Sequence, residues 1–181
     1  MKSVKYDFGL DNLQLMVPFC RTPEEGAMVK ELLDDNGIGP STGTDLFVMV
    51  ELPSNVIEAE RFIQMMELSG GSIGSNDLVQ TVYAVSRDDL EGYQNPVDAR
   101  SPAVKSMIRQ IVNKFNARGL EIGICGQAPS DFPEEFPPFL IDCGISSISV
   151  TPDTAIAVRN TVAEAEKAAK KLTKQAELLS D

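Results

Sequence analysis

The chain has 181 residues, 43% of them hydrophobic and 24% charged, which suits one soluble domain with a core of its own. Its 27 acidic residues against 16 basic give a net charge of −11. That argues against nucleic-acid and anionic-membrane partners, yet leaves room for an anionic small substrate at a locally positive site.

Residues 13–19 read as an apolar strand. Thr22 then caps a helix with Pro23 at its first position and Glu25 three residues after the cap, and Gly37 stops it. Residues 45–52 are a second apolar strand, with a helix from Asn55 to about residue 68. Residues 70–74 are a short third strand. A long loop is expected from Asn76 to Arg100, with a helical turn near residues 78–84. Ser101 caps the next helix, Pro102 starts it and Gly119 ends it. Residues 120–125 are the fourth strand. Residues 132–143 form a segment weakened as a helix by Pro137 and Pro138. Residues 146–150 are the fifth strand, and Thr151-Pro152 opens a long Ala- and Lys-rich helix to about residue 179.

Five strand–helix units with strands apolar on both faces indicate a parallel sheet buried by helices. No repeat or linker interrupts them, so residues 1–181 are expected to form a single domain. No apolar run approaches the ~20 residues that span a bilayer. Residues 1–7 lack the apolar segment of a secretory signal. The three cysteines, Cys20, Cys125 and Cys143, are odd in number and lack metal-site spacing, so reduced thiols in the cytoplasm are expected. There is no histidine, which removes the commonest general base and the usual phosphorylated imidazole carrier.

Three strand ends carry polar tips, and parallel strands would bring all of them to one face. Glu51 ends an apolar strand. A carboxylate there is a natural Mg²⁺ ligand, or simply a charge at the start of the following helix. Asn76-Asp77 follows Gly71-Ser72-Ile73-Gly74-Ser75, where glycines let a ligand approach the backbone and successive N–H groups can cradle an anion. Asp77 would be a second metal carboxylate, or the pair would only cap a turn. Cys125, between Gly123 and Gly126, could move a proton, or be a small buried hydrophobe. Arg21 and Arg87 are the cations best placed to meet a phosphate or carboxylate, with a solvated surface role as the plain alternative.

Four segments together carry a family signature: Met16-Val17-Pro18-Phe19-Cys20-Arg21-Thr22, Glu51-Leu52-Pro53-Ser54-Asn55, Ser72-Ile73-Gly74-Ser75-Asn76-Asp77-Leu78-Val79-Gln80 and Gly123-Ile124-Cys125-Gly126-Gln127-Ala128-Pro129-Ser130-Asp131. In order and rough spacing the chain resembles the phosphoenolpyruvate-utilising enzymes, a group that includes phosphoenolpyruvate synthases, pyruvate phosphate dikinases and enzyme I of the sugar phosphotransferase system. The nearest resemblance is to the C-terminal part of the phosphoenolpyruvate synthases. It implies a partial (β/α)8 TIM barrel binding pyruvate or phosphoenolpyruvate, with Mg²⁺ as cofactor. It further implies Glu51 and Asp77 as metal ligands, Asn76 and Arg87 with Ser75 and Gly74 on the substrate, and Cys125 as the acid that exchanges a proton with the enolate carbon.

A full barrel has eight strands and about 250 residues. The five strands here match the family's fourth to eighth, so the strands bearing its other substrate-binding arginines are absent, as are its phosphohistidine and nucleotide-binding domains. The isolated chain is therefore expected to make no phosphoenolpyruvate from pyruvate and ATP. The open half-barrel leaves unpaired strand edges, so a homo-oligomer or a partner chain completing the barrel is expected. A non-catalytic Mg²⁺- and carboxylate-binding or regulatory module is the alternative.

Overall fold

The structure is a computed structural model that describes residues 1–86 and 97–180, the last nine of these by backbone alone. Five strands follow one another in the sheet in chain order: β1 (Gln14–Val17), β2 (Asp45–Val50), β3 (Gly70–Gly74), β4 (Glu121–Cys125) and β5 (Ser147–Ile148). Every neighbouring pair is parallel, with Val50 opposite Ile73 and Gly74 opposite Cys125 at the strand ends. Sequential order with one helical crossover per step is the topology of a β/α barrel wall. Among the described residues β1 and β5 each pair on one side only.

Helices α1 (Pro23–Asp35), α2 (Pro53–Ile57), α3 (Ala59–Met66), α4 (Ser75–Tyr83), α5 (Pro102–Asn116), α6 (Ala128–Asp131) and α7 (Phe136–Cys143) lie in the crossovers, and α8 (Ala155–Ser180) follows β5. Strand alternation divides the sheet into two faces. Leu46, Val48, Val50, Ile73, Ile122 and Ile124 are buried on the helix-covered face, where a Cβ on Gly71 would touch the Phe115 ring of α5. Met16, Phe47, Met49, Ser72 and Cys125 lie on the other face, which is only partly covered, and Met16 is 47% exposed. That face is the inner wall of the incomplete barrel.

Capping follows the sequence at α1, where the Thr22 hydroxyl accepts the Glu25 N–H at 3.2 Å and Pro23 takes the first position. Elsewhere the structure departs from the sequence reading. The helical turn expected near residues 78–84 is present, but as a full helix α4 that begins at Ser75, where a loop was expected from Asn76. Its polar first turn looks like a loop, but Asp77 there favours the helix N-terminus while Leu78 and Val79 bury the body. Residues 136–143 form a helix despite their prolines, because Pro137 and Pro138 occupy its first turn, where no intrahelical N–H is required. The helix after β2 breaks in two at Glu58. The fifth strand shrinks to two residues, and the final helix starts at Ala155 after a turn. A short π-helix over Ser3–Asp7 has no sequence signal. Among the described residues no helix is long and apolar enough to cross a membrane.

Candidate active site at the strand ends

The C-terminal ends of β2, β3 and β4 meet in one row. Glu51 follows β2, Gly74 ends β3 and Cys125 ends β4. Gly74 and Cys125 are register partners, and a Cβ on Gly74 would lie 2.7 Å from Glu51 Cγ and 3.0 Å from its Oε1. Carboxylate, glycine and thiol therefore share the inner face. The glycine leaves room for the Glu51 side chain and for Met49 Cε, 3.1 Å from that Cβ position, to lie over β3, and the backbones that carry carboxylate and thiol are two strand spacings, roughly 10 Å, apart.

Glu51 is 7% exposed and held on three sides. Its carboxylate Oε2 accepts the Phe19 N–H at 2.9 Å. Its own N–H donates to Asn55 Oδ1 at 3.1 Å, and its carbonyl accepts the Thr81 hydroxyl at 2.7 Å. Phe19 delivers its N–H from a left-handed backbone conformation, φ 55°, which is unusual for a bulky residue and marks a site under constraint. Asn55 also accepts the Leu52 N–H at 3.0 Å, an N3 side chain reaching back to the helix cap, and donates to the Cys20 carbonyl at 2.8 Å. It thereby joins the ends of β1 and β2. Burial pushes the Glu51 carboxyl above its ordinary range, the Phe19 bond pulls it partly back, and the nearby Asp77 charge pushes it up again.

Asp77 and Asn76 lie half-buried in the first turn of α4. Asn76 Oδ1 accepts the Gln127 N–H at 3.3 Å, tying α4 to the turn after Cys125. Ser75 is fully buried and its hydroxyl donates to the Cys125 carbonyl at 3.0 Å. Gly126 makes that approach possible. At its φ of 111° a side chain is strained, and a Cβ would overlap the Ser75 hydroxyl. The Cys125 thiol is half-buried, whereas burial raises Cys20 and Cys143 above the usual thiol range, as expected for inert packing residues. Arg21 is exposed and its guanidinium is taken up by Glu25 at 2.7 Å. Arg87 lies outside the described residues.

Sequence reasoning did not single out Phe19, Asn55 or Thr81. A Pro-Ser-Asn start to a helix is a readable signal for Asn55 as a backbone anchor. Nothing local signals Phe19 or Thr81, whose partners lie 32 and 30 residues away.

The donor set fits Mg²⁺. Among the described residues no group of three His, Cys, Asp or Glu could hold a metal alone. Mg²⁺ asks for only one or two carboxylates and fills its remaining positions with water and substrate oxygens. A cation beside Glu51 would also compensate a buried carboxylate that has Asp77 as a like-charged neighbour.

A parallel β/α barrel wall with carboxylates, a helix N-terminus and a thiol at its C-terminal strand ends defines the class of TIM-barrel-like α/β proteins. Solved structures share this fold. Protein CitE from Mycobacterium tuberculosis, in complex with magnesium and pyruvate, superposes with a TM-score of 0.61 at 14% identity, covering 89% of this chain and 62% of that one. A HpcH/HpaI aldolase/citrate lyase family protein from Burkholderia cenocepacia gives 0.54 at 18% identity, covering 88% and 65%. At these identities the likeness speaks for the fold alone. The sequence matches the PEP-utilising enzyme family, PEP-binding domain, over residues 2–167, and the chain belongs to that family. It is 44% identical over 165 residues to the phosphoenolpyruvate synthase of Aquifex aeolicus and 43% identical over 169 residues to that of Synechocystis. These alignments cover 91% and 93% of the chain but only 19% and 20% of those proteins, so the chain spans about a fifth of the curated relatives it matches.

Proposed function

We propose that this chain is the substrate-binding portion of a phosphoenolpyruvate synthase-like phosphotransferase, which interconverts pyruvate and phosphoenolpyruvate through an enolate. The observation that carries this reading is the row Glu51–Gly74–Cys125, which sets a buried carboxylate and a thiol at parallel strand ends on one face, with only a glycine on the strand between them.

Glu51 and Asp77 would hold Mg²⁺, which when bound supplies the positive charge that stabilises an enolate oxygen. The N-terminus of α4, with the backbone N–H groups of Asn76 and Asp77, favours the substrate's carboxylate or phosphate. Gly74 and Ser75 would stand beside the substrate at the end of β3. Asn76 and Arg87 would contact the phosphate. Cys125, at the end of the strand beside Gly74, would give a proton to the enolate carbon or take it from the methyl of pyruvate. The Ser75 bond fixes the Cys125 backbone during that transfer.

The reading makes residues 1–181 one functional unit, cytoplasmic and with reduced thiols, that makes no phosphoenolpyruvate on its own. The rest of the barrel would come from a partner chain or a second copy. One feature supports this: among the described residues β1 and β5 each pair on one side only.

Calorimetric titration with oxalate, an enolpyruvate mimic, tests the reading with and without Mg²⁺. Oxalate is expected to bind only with Mg²⁺ and to lose binding in Asp77→Ala. Mg²⁺-independent binding, or no loss in the variant, would refute the metal assignment.

A further inference from the structure

The two carboxylates assigned to the cation belong to different β/α units. Glu51 ends the second strand, and Asp77 rides on the helix after the third. Their separation is therefore set by tertiary contacts, and a shared cation needs that separation held within about 0.5 Å. One side chain lies between them. Thr81, half-buried one turn beyond Asp77 on α4, places its hydroxyl oxygen 2.7 Å from the Glu51 carbonyl, 3.0 Å from the Asp77 carbonyl and 3.2 Å from the Leu78 carbonyl.

A threonine inside a helix ordinarily bonds back to the carbonyl four residues earlier, here Asp77. In this helix the shortest contact instead leaves the element and reaches Glu51. A hydroxyl has one proton, so the bond it commits to Glu51 is the cross-link between the two units, while the helix itself fixes Asp77 one turn from Thr81. Asn55 grips the Glu51 N–H from the opposite side, so Thr81 completes the clamp on that residue's backbone.

The geometry points to Thr81 as a positioning residue: its hydroxyl fixes the spacing of Glu51 and Asp77 and so sets the affinity of the pair for a divalent cation. This rests on the metal reading given above. Thr81 reaches the backbone carbonyls of Glu51 and Asp77, not their carboxylates. It acts through the backbones of the two ligands, in the manner of outer-shell groups that orient metal ligands.

Mn²⁺ binding followed by electron paramagnetic resonance tests this on the full chain, without recourse to activity. The site is defined as the Mn²⁺ binding that is lost in Asp77→Asn, which separates it from adventitious surface carboxylates. Thr81→Val keeps the shape and removes the donor. Thr81→Ser keeps the donor. Thr81→Val is expected to weaken this site by about tenfold or more, a typical outer-shell effect. Thr81→Ser is expected to hold it near the wild-type affinity, with both metal-free variants melting close together. Thr81→Ala is the second donor-free variant should the valine not fold. Equal affinity in Thr81→Val and wild type would overturn the inference while leaving the metal reading intact. Equal losses in Thr81→Val and Thr81→Ser would also overturn it, since packing rather than the donor would then matter. A wild-type chain with no Asp77-dependent Mn²⁺ site would bring down the metal reading itself, and the inference with it.

Discussion

Asn55→Ala is the substitution that most directly probes how the strand-end row is held. Asn55 is 2% exposed, and its amide makes three hydrogen bonds that are lost when the side chain is cut. The Glu51 and Leu52 N–H groups lose their acceptor, and the Cys20 carbonyl loses its donor. At about 1 kcal/mol for each bond, and more for groups left buried without partners, the loss is roughly 3–5 kcal/mol. For a chain of this size that lowers the melting temperature by roughly 10 °C. Asn55→Asp separates the contributions, because it keeps the acceptor and loses the donor toward Cys20 at neutral pH. Protonation restores a donor, so this variant should regain stability relative to wild type as the pH falls. Urea unfolding across a pH series reads both effects. A loss under about 1 kcal/mol in Asn55→Ala would refute the argument that these bonds join β1 to β2, because it falls within the worth of a single ordinary bond.

Two further substitutions test the local chemistry. The Glu51 carboxyl is raised by burial, so in the metal-free protein its ionisation opposes folding, and the stability that its protonated form supplies is lost as pH rises through its folded value. Glu51→Gln is therefore expected to raise the melting temperature at pH 7 and to lose that advantage as pH falls below the ordinary glutamate value of 4.5; a variant less stable than wild type at pH 7 would contradict the burial argument. At Phe19 the left-handed backbone reverses the usual order of alanine over glycine, so Phe19→Gly should be more stable than Phe19→Ala by about 1 kcal/mol in chemical unfolding, and the ordinary order would show that the conformation is not under strain.

Much of the fold could be read along the chain because its determinants are local. Apolar runs of strand length, Thr22-Pro23 and Ser101-Pro102 helix starts, and glycine stops act within a few residues. Two of the misreadings share one cause. Ser75-Asn76-Asp77 and Pro137-Pro138 are turn-forming or helix-breaking by composition, yet each stands in the first turn of a helix, where those residues are tolerated. Position within the helix decides the outcome, and that position follows from where the preceding strand or turn ends. The five strands define one wall of a barrel, and the sequence contains too few strand signals to close it.

Of the site, the sequence determined the chemical inventory: Glu51, Asn76, Asp77 and Cys125 at the ends of apolar runs, the absence of histidine, and the family to which those runs belong. Side-chain chemistry and strand periodicity are written residue by residue, so they survive without a fold. Only the tertiary structure decided that Gly74 lies between carboxylate and thiol, that the Phe19 N–H points at Glu51, and that Thr81 on one unit holds the strand end of another. Those facts depend on parallel register and on hydrogen bonds that span 30 or more residues, and no local pattern encodes a contact whose two halves are brought together only when the sheet forms.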